Sequence, residues 1–226
     1  MYVELLNYTR EPERTVAAAA RLCYSPIGAE RILEDLTQEE TEQLLNKLIS
    51  MGHLSPLEHL NFTFGIEGVS RVLSHQMVRH RIASYSQKSQ RYVEENNFEY
   101  IIPPSIARKH EANELFMKKM EDIKRAYQEL AEMVHKEDAR YILPAACETK
   151  LVATYNARSL LNFFELRCCN RAQWEIRRLA LAMRDEVRKA APIIFSMAGP
   201  KCETEGNCYE GKLSCGRTQN IKTRGR

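Results

Sequence analysis

The segment from Arg79 to Arg91, RHRIASYSQKSQR, gathers side chains suited to holding an anion. Arg79, Arg81, Lys88 and Arg91 carry positive charge at neutral pH, His80 joins them on protonation, and hydroxyl and amide groups are threaded between. No Asp or Glu stands between Gly68 and Val93, so nothing nearby in sequence neutralises the cluster. A planar guanidinium fork matches phosphate and carboxylate oxygens, and Ser and Gln complete such a shell. The expectation is an anion site for phosphorylated small molecules; the competing reading is a solvated basic face.

The elements that must position this cluster follow from periodicity and caps. Residues 1–35 begin with a short alternation (Val3, Leu5) and continue into an Ala-rich helix around Val16–Cys23. Thr37 and Glu40 form a capping box ahead of a helix with the apolar stripe Leu44, Leu45, Leu48 and Ile49, and Gly52 falls at its C-cap. His53–His59 reads as a turn fixed by Pro56. Phe62, Phe64 and Ile66 alternate with polar or small residues, as in a strand with one buried face. From Val69 the period turns helical through Val72, Leu73, Gln76, Met77 and His80, leaving Arg79–Arg91 at a helix end and in an irregular segment. A long helix is predicted with Leu115, Phe116, Met120, Ile123, Tyr127, Leu130 and Val134 inward. A short helix then ends at Pro144, and a strand near Leu151–Tyr155 leads to Asn156. Two more helices carry Leu160, Leu161 and Phe164, and Ile176, Leu179, Ala180, Met183 and Val187; Asn170 and Gln173 are the candidate caps of the second. The whole reads as one α+β domain over residues 1–198, followed by a loosely ordered Cys-, Gly- and Lys-rich tail over 199–226.

Composition narrows the function classes. A net charge of +3 on 226 residues makes the basic cluster local, which argues for a focused pocket over a general nucleic-acid coat. The N-terminus lacks the apolar core of a signal peptide, and no apolar run approaches the roughly 18 residues of a membrane span. Seven Cys without a secretion signal point to reduced thiols and a cytoplasmic protein.

The order of motifs resembles one known family. His53-x-Ser55-Pro56-x-Glu58-His59, then Gln76-x-x-Arg79-His80-Arg81, seven residues and Ser89, then Asn156-Ala157-Arg158-Ser159 and Asn162, is similar to the flavin-dependent thymidylate synthases, with the RHR-x7-S signature complete. The resemblance runs from about Leu44 to about Ile194. It implies an antiparallel sheet flanked by helices and the conversion of dUMP to dTMP. It also implies methylenetetrahydrofolate as carbon donor, NADPH as reductant through FAD, and a homotetramer with active sites shared between subunits. No nucleic acid, membrane or metal partner is implied.

Residue by residue, the resemblance implies that Arg79, His80 and Arg81 contact the flavin, with Ser55, Gln87, Asn156, Ala157, Arg158 and Asn162 helping to hold it. It sets Gln76 and Arg79 along dUMP. Gln87, Lys88, Ser89, Gln90 and Arg91 wrap the phosphate and sugar, and Arg140 and Arg167 complete the nucleotide site. Arg167 is the implied catalytic residue, at uracil N3/O4, where a fixed cation stabilises the anionic ring and enriches electron density toward C5. The chemistry of the residues agrees, since a nucleotide monophosphate is a dianion that needs several forked donors, and Asn offers a donor and an acceptor together. Two positions depart from the pattern: Gln87 stands where some members have Glu, and Arg171 where some have a His beside the flavin.

Other readings stay open at this level. Ser89 lacks an obvious partnered base and reads as a phosphate-binding hydroxyl. Asn156 doubles as a helix N-cap. Trp174 reads as a core or interface residue, and Arg177-Arg178 as a solvated face. Cys23 and Cys147 read as small core residues, whereas Cys168, Cys169, Cys202, Cys208 and Cys215 either assemble a structural zinc site or remain free thiols. A helix N-terminus at Asn170 would lower the pKa of Cys168 and Cys169. The rival functions are a nucleic-acid-binding protein with a basic recognition helix and a non-catalytic nucleotide or flavin sensor.

Overall fold

The computed structural model describes residues 1–218. Four strands, β1 (Tyr2–Tyr8), β2 (Asn61–Ser70), β3 (Ala83–Gln87) and β4 (Glu148–Asn156), form an antiparallel sheet in the order β1-β2-β4-β3. Around it run α1 (Pro12–Leu22), α2 (Ala29–Asp35), α3 (Gln38–Ser50), α4 (Arg71–Met77), α5 (Pro104–Ala107) and α6 (His110–Met133). α7 (Lys136–Ala139), α8 (Ala157–Arg167), α9 (Trp174–Ala190) and α10 (Lys201–Thr204) complete the described helices. The α+β class is as the sequence implies. The chain packs as two compact units. The first holds Met1–Tyr2, Ile66–Arg79 and Tyr85–Val152; the second holds Val3–Gly65, His80–Ser84 and the described residues from Ala153 onward.

In the second unit, Thr37 accepts the Glu40 N–H while the Glu40 carboxylate accepts the Thr37 N–H, so the capping box is closed at the start of α3. Gly52 follows α3 at φ 69°, a conformation that glycine adopts without a Cβ penalty. The alternation of β2 turns Phe62 and Phe64 fully inward. Burial of each such ring contributes about 1.5–3 kcal/mol. Phe62 meets Phe195 edge-on at 5.2 Å, and contacts continue through Phe164 and Phe163 to the ring of His80. The predicted inward residues of α9 are all buried, and Gln173, not Asn170, caps it by accepting the Glu175 and Ile176 N–H groups.

In the first unit, Phe98, Met120 and Cys147 form a core cluster flanked by Tyr100, Phe116, Ile123 and Leu143. Here β2 runs on through Ser70, whose hydroxyl accepts the Leu73 N–H and starts α4. Two further N-terminal N–H groups of α4 donate to Cys147 O and Ala145 O. α4 starts at Arg71 and ends at Met77, short of His80, where the Tyr85 hydroxyl takes up the Met77 carbonyl at 2.7 Å. Part of the predicted irregular segment is β3, a strand of Ser, Tyr and Gln with no apolar face to announce it.

Four expectations are corrected. Leu115 is exposed because it lies one residue off the stripe Phe116–Met120–Ile123–Tyr127. Val134 is exposed because it is the C-cap of α6, past its last turn. Cys23, the C-cap of α1, is exposed rather than in the core. Residues 199–218 are ordered: α10 buries Cys202, and the Arg184 guanidinium on α9 pairs with Glu203 at 3.3 Å. The remainder of the predicted tail, residues 219–226, lies outside the described residues.

Candidate active site

The residues singled out by the sequence divide between the units. Gln76, Arg79, Gln87, Lys88, Ser89, Gln90, Arg91 and Arg140 fall in the first; Ser55, His80, Arg81, Asn156, Ala157, Arg158, Asn162 and Arg167 fall in the second.

In the first unit, α4 carries half-buried Gln76 on its last turn and delivers exposed Arg79 two residues beyond its end. β3 then runs into the Gln87–Arg91 segment, which is tied down at nearly every residue. The Gln87 amide donates to Thr149 Oγ1 at 3.0 Å, the Lys88 N–H to Lys150 O at 2.9 Å, and the buried Gln90 amide to Cys147 Sγ at 3.6 Å. The Arg91 N–H donates to Ser89 Oγ at 3.2 Å. The fold also supplies the carboxylates that are missing locally. Lys88 lies 2.9 Å from buried Glu95, and Arg91 pairs at the surface with Glu137 at 2.8 Å. Arg140 Nε donates to the Glu137 carbonyl at 3.2 Å. Among the described residues Arg79 and Arg140 form no ion pair, so they are the two cations of this set with charge left to offer.

In the second unit, α8 is the platform. Asn156 Oδ1 accepts the Ser159 N–H at 2.8 Å as its N-cap, and the Ala157 N–H donates to Leu60 O at 3.0 Å. Ala157 is fully buried, while Arg158 and Asn162 are exposed. Arg158 Nη1 lies 2.5 Å from Glu58, on the short helical turn Ser55–His59 that also carries exposed Ser55. Arg81 is exposed and unpaired with any acid among the described residues.

The last turn of α8 ends in Arg167, half-buried, whose Nε donates to His80 Nε2 at 3.0 Å. His80 packs edge-on to Phe163 at 4.9 Å. Burial and, secondarily, the Arg167 charge hold its pKa down, at about 4. The imidazole is thus neutral at pH 7, with Nε2 as acceptor and the proton on Nδ1. The sequence reading missed this pairing; the signal it offered is that Leu160, Phe163, Phe164 and Arg167 recur at i, i+3, i+4 and i+7, so Arg167 shares the inward face. A cavity of about 440 Å³ lies on this unit, lined in part by Glu165, Arg167, Cys169, Arg171, Lys201 and Glu210. Arg171 pairs with Glu210 and Lys201 with Glu165, so of the three cations in the lining Arg167 is the one whose charge these two carboxylates do not offset.

The thiols give no cluster for a metal: among the described residues no group of three or more His, Cys, Asp or Glu is placed to hold an ion. Cys168 is the C-cap of α8 and buried, and burial pushes its thiol up to about 11. The expected helix N-terminus at Asn170 is absent, since α9 begins at Trp174. Cys168 therefore sits at the negative end of a helix dipole, which disfavours a thiolate. Trp174 is half-buried and Arg178 exposed, while Arg177 donates to Asn170 Oδ1 at 3.1 Å.

The thymidylate synthase complementing protein family matches residues 4–193 of this chain. Proteins named flavin-dependent thymidylate synthase are similar over nearly the full length. That of Clostridium tetani is 51% identical, with 97% of this chain and 95% of the relative covered. That of Geobacter sulfurreducens is 49% identical, covering 98% and 97%, and that of Nitratidesulfovibrio vulgaris 44%, covering 95% and 94%.

Proposed function

The chain belongs to the flavin-dependent thymidylate synthases, a family of enzymes, and from that premise we propose that it methylates dUMP to dTMP, with methylenetetrahydrofolate as carbon donor and NADPH as reductant through FAD. The observation that carries the reading is Arg167 anchored through Nε on a neutral histidine. A guanidinium held by one edge keeps a fixed orientation, and its terminal nitrogens form the planar fork that can address adjacent imide atoms. Placed at uracil N3 and O4, that fork stabilises charge moving onto the ring and favours alkylation at C5. The neutral imidazole adds no second positive charge and orients the first.

In the nucleotide set, Arg79, Arg91 and Arg140 offer forks to the phosphate dianion, Ser89 and Gln90 add neutral contacts, and Gln76 and Gln87 lie along the base and sugar. Lys88 belongs to the same wrap. Charge-assisted bonds of this kind contribute roughly 1.5–3 kcal/mol each. Arg91 must exchange Glu137 for phosphate, and because its pair with Glu137 is half exposed on both sides, giving it up costs little.

The donor set of the second unit fits a flavin dinucleotide. Arg81 and Arg158 suit its pyrophosphate, and the Asn156 and Asn162 amides and the Ser55 hydroxyl suit ring and ribose edges. Buried Ala157 and its N–H bond to Leu60 fix the start of α8 beneath them. When bound, FAD supplies the redox chemistry that the side chains lack.

A homotetramer with shared sites belongs to the proposal; Tyr24 and Met51, exposed in the second unit around one depression, are apolar side chains that a subunit contact could cover. A cytoplasmic location is supported by seven free thiols, and no described helix is long and apolar enough to cross a membrane.

The test is direct. Protein reconstituted with FAD should oxidise NADPH faster when dUMP is present and form dTMP when methylenetetrahydrofolate is added. Protein that takes up no flavin and makes no dTMP rejects the reading; dUMP binding without turnover would indicate a sensor.

A further inference from the structure

Lys88, in the middle of the basic segment, is the one cation there whose charge is neutralised inside the protein. Its ammonium lies 2.9 Å from Glu95 Oε1 and 3.1 Å from Oε2, with the two side chains only 18% and 3% exposed. Glu148 also stands 3.8 Å from the ammonium, and its carboxylate is held by accepting the Gly68 N–H at 3.0 Å. Gly68 has φ 65°, and a Cβ there would lie 2.9 Å from the Met1 nitrogen, so the backbone conformation that carries this N–H depends on glycine. Glu95 is anchored in turn, its N–H donating to the hydroxyl of fully buried Tyr127 on α6 at 3.2 Å and its carbonyl accepting from Phe98 at 3.1 Å. The pair therefore staples residues 88–95 into a closed loop, and Ser89, Gln90 and Arg91 are the first residues inside it.

We infer that Glu95 is a positioning residue for the nucleotide: its buried carboxylate clamps Lys88 and so fixes the turn that presents Ser89, Gln90 and Arg91 to the phosphate. The inference rests on the reading that this turn holds dUMP. Lys88 serves the anion through the clamp, not by direct charge. A substrate phosphate would have to pull the ammonium out of a site with two carboxylates, one of them buried, whereas Arg79 and Arg140 stand unpaired. Buried ion pairs add little net stability yet are costly to break singly, which suits a device that sets geometry.

The experiment compares the holoenzyme with Glu95→Gln, Lys88→Gln and the double variant Lys88→Gln/Glu95→Gln, by dUMP titration calorimetry and by kcat and KM. Wild-type protein that binds no dUMP would reject the parent reading instead of the clamp. Given wild-type binding, Glu95→Gln should raise the KM for dUMP about tenfold or more with kcat at saturation changed less than about threefold, and with flavin content unchanged. The double variant should match Glu95→Gln, because Lys88 has no further work once the clamp is open. It also leaves no unpaired buried charge, so it carries the test if Glu95→Gln fails to fold. A Glu95→Gln enzyme with wild-type KM overturns the inference. So does a double variant that binds dUMP about tenfold more weakly than Glu95→Gln with a flatter salt dependence, which would mean that Lys88 touches the phosphate itself.

Discussion

Arg167 and His80, 87 residues apart in sequence, share one hydrogen bond in which the guanidinium Nε donates to imidazole Nε2 at 3.0 Å. The donor permits only one state of the ring there, neutral with an open Nε2 lone pair. The folded-state pKa of about 4 lies below the ordinary histidine value of 6.5, so the unfolded chain binds the proton more readily between those values. The stability contributed by neutral His80 is therefore complete above pH 6.5, is lost as pH falls toward 4, and changes no further below. We expect a loss on the order of 1–2 kcal/mol across that window, after allowing for the ring's part exposure. Denaturant midpoints against pH for the wild type and His80→Gln should differ in slope there; parallel curves would remove His80 as the titrating group.

Arg167→Lys should keep the fold and much of the dUMP affinity and lose turnover by about two to three orders of magnitude. Lysine keeps the charge but lacks both the Nε anchor on His80 and the planar fork. The measurement is kcat at saturating dUMP on flavin-loaded protein; near-normal turnover would place the chemistry elsewhere.

Arg91→Ala should weaken dUMP binding by about 1.5–3 kcal/mol, the loss of one charge-assisted contact, with thermal stability nearly unchanged. Its pairing with Glu137 is about half exposed on both sides, so the protein itself loses little when it goes. Calorimetric affinity and melting temperature together separate the two effects.

Phe163→Ala should cost about 3–5 kcal/mol, since the ring is fully buried between Phe164, Tyr155 and His80. The void would also free His80 to turn. Chemical denaturation gives the cost, and a rise in the His80 pKa by NMR would report the loosened ring.

Cys168→Ser should retain dTMP formation within about tenfold, or about 1.4 kcal/mol. A thiol pushed up to about 11 at a helix C-terminus is a poor nucleophile at neutral pH. Stability should fall by about 1–3 kcal/mol from burying a hydroxyl. A folded, flavin-loaded, dUMP-binding variant that made no dTMP would show that this chain uses a cysteine after all.

Much of the framework was legible because it is written in local chemistry. The Thr37–Glu40 box, the Gly52 C-cap, the buried alternation of Phe62, Phe64 and Ile66 and the Asn156 cap each depend on residues within a few positions of one another. Periodicity and capping are short-range rules. They failed where local pattern carries no signal: β3 has no apolar alternation beyond Ala83, and α4 starts late because Ser70 belongs to a strand and to a cap at once.

The sequence by itself determined the identities and order of the motif residues that make up the candidate site, and these point to the family. Tertiary structure alone decided which charges remain available. Lys88 is consumed by Glu95 and by Glu148, 60 residues further on, whereas Arg158 meets Glu58, 100 residues before it, in a surface pair that an anion can replace, and Arg79, Arg81 and Arg140 have no ionic partner among the described residues. Ion pairing acts over a few ångströms of space and takes no account of separation along the chain, so a run of basic residues names the cations without saying which ones the fold has neutralised.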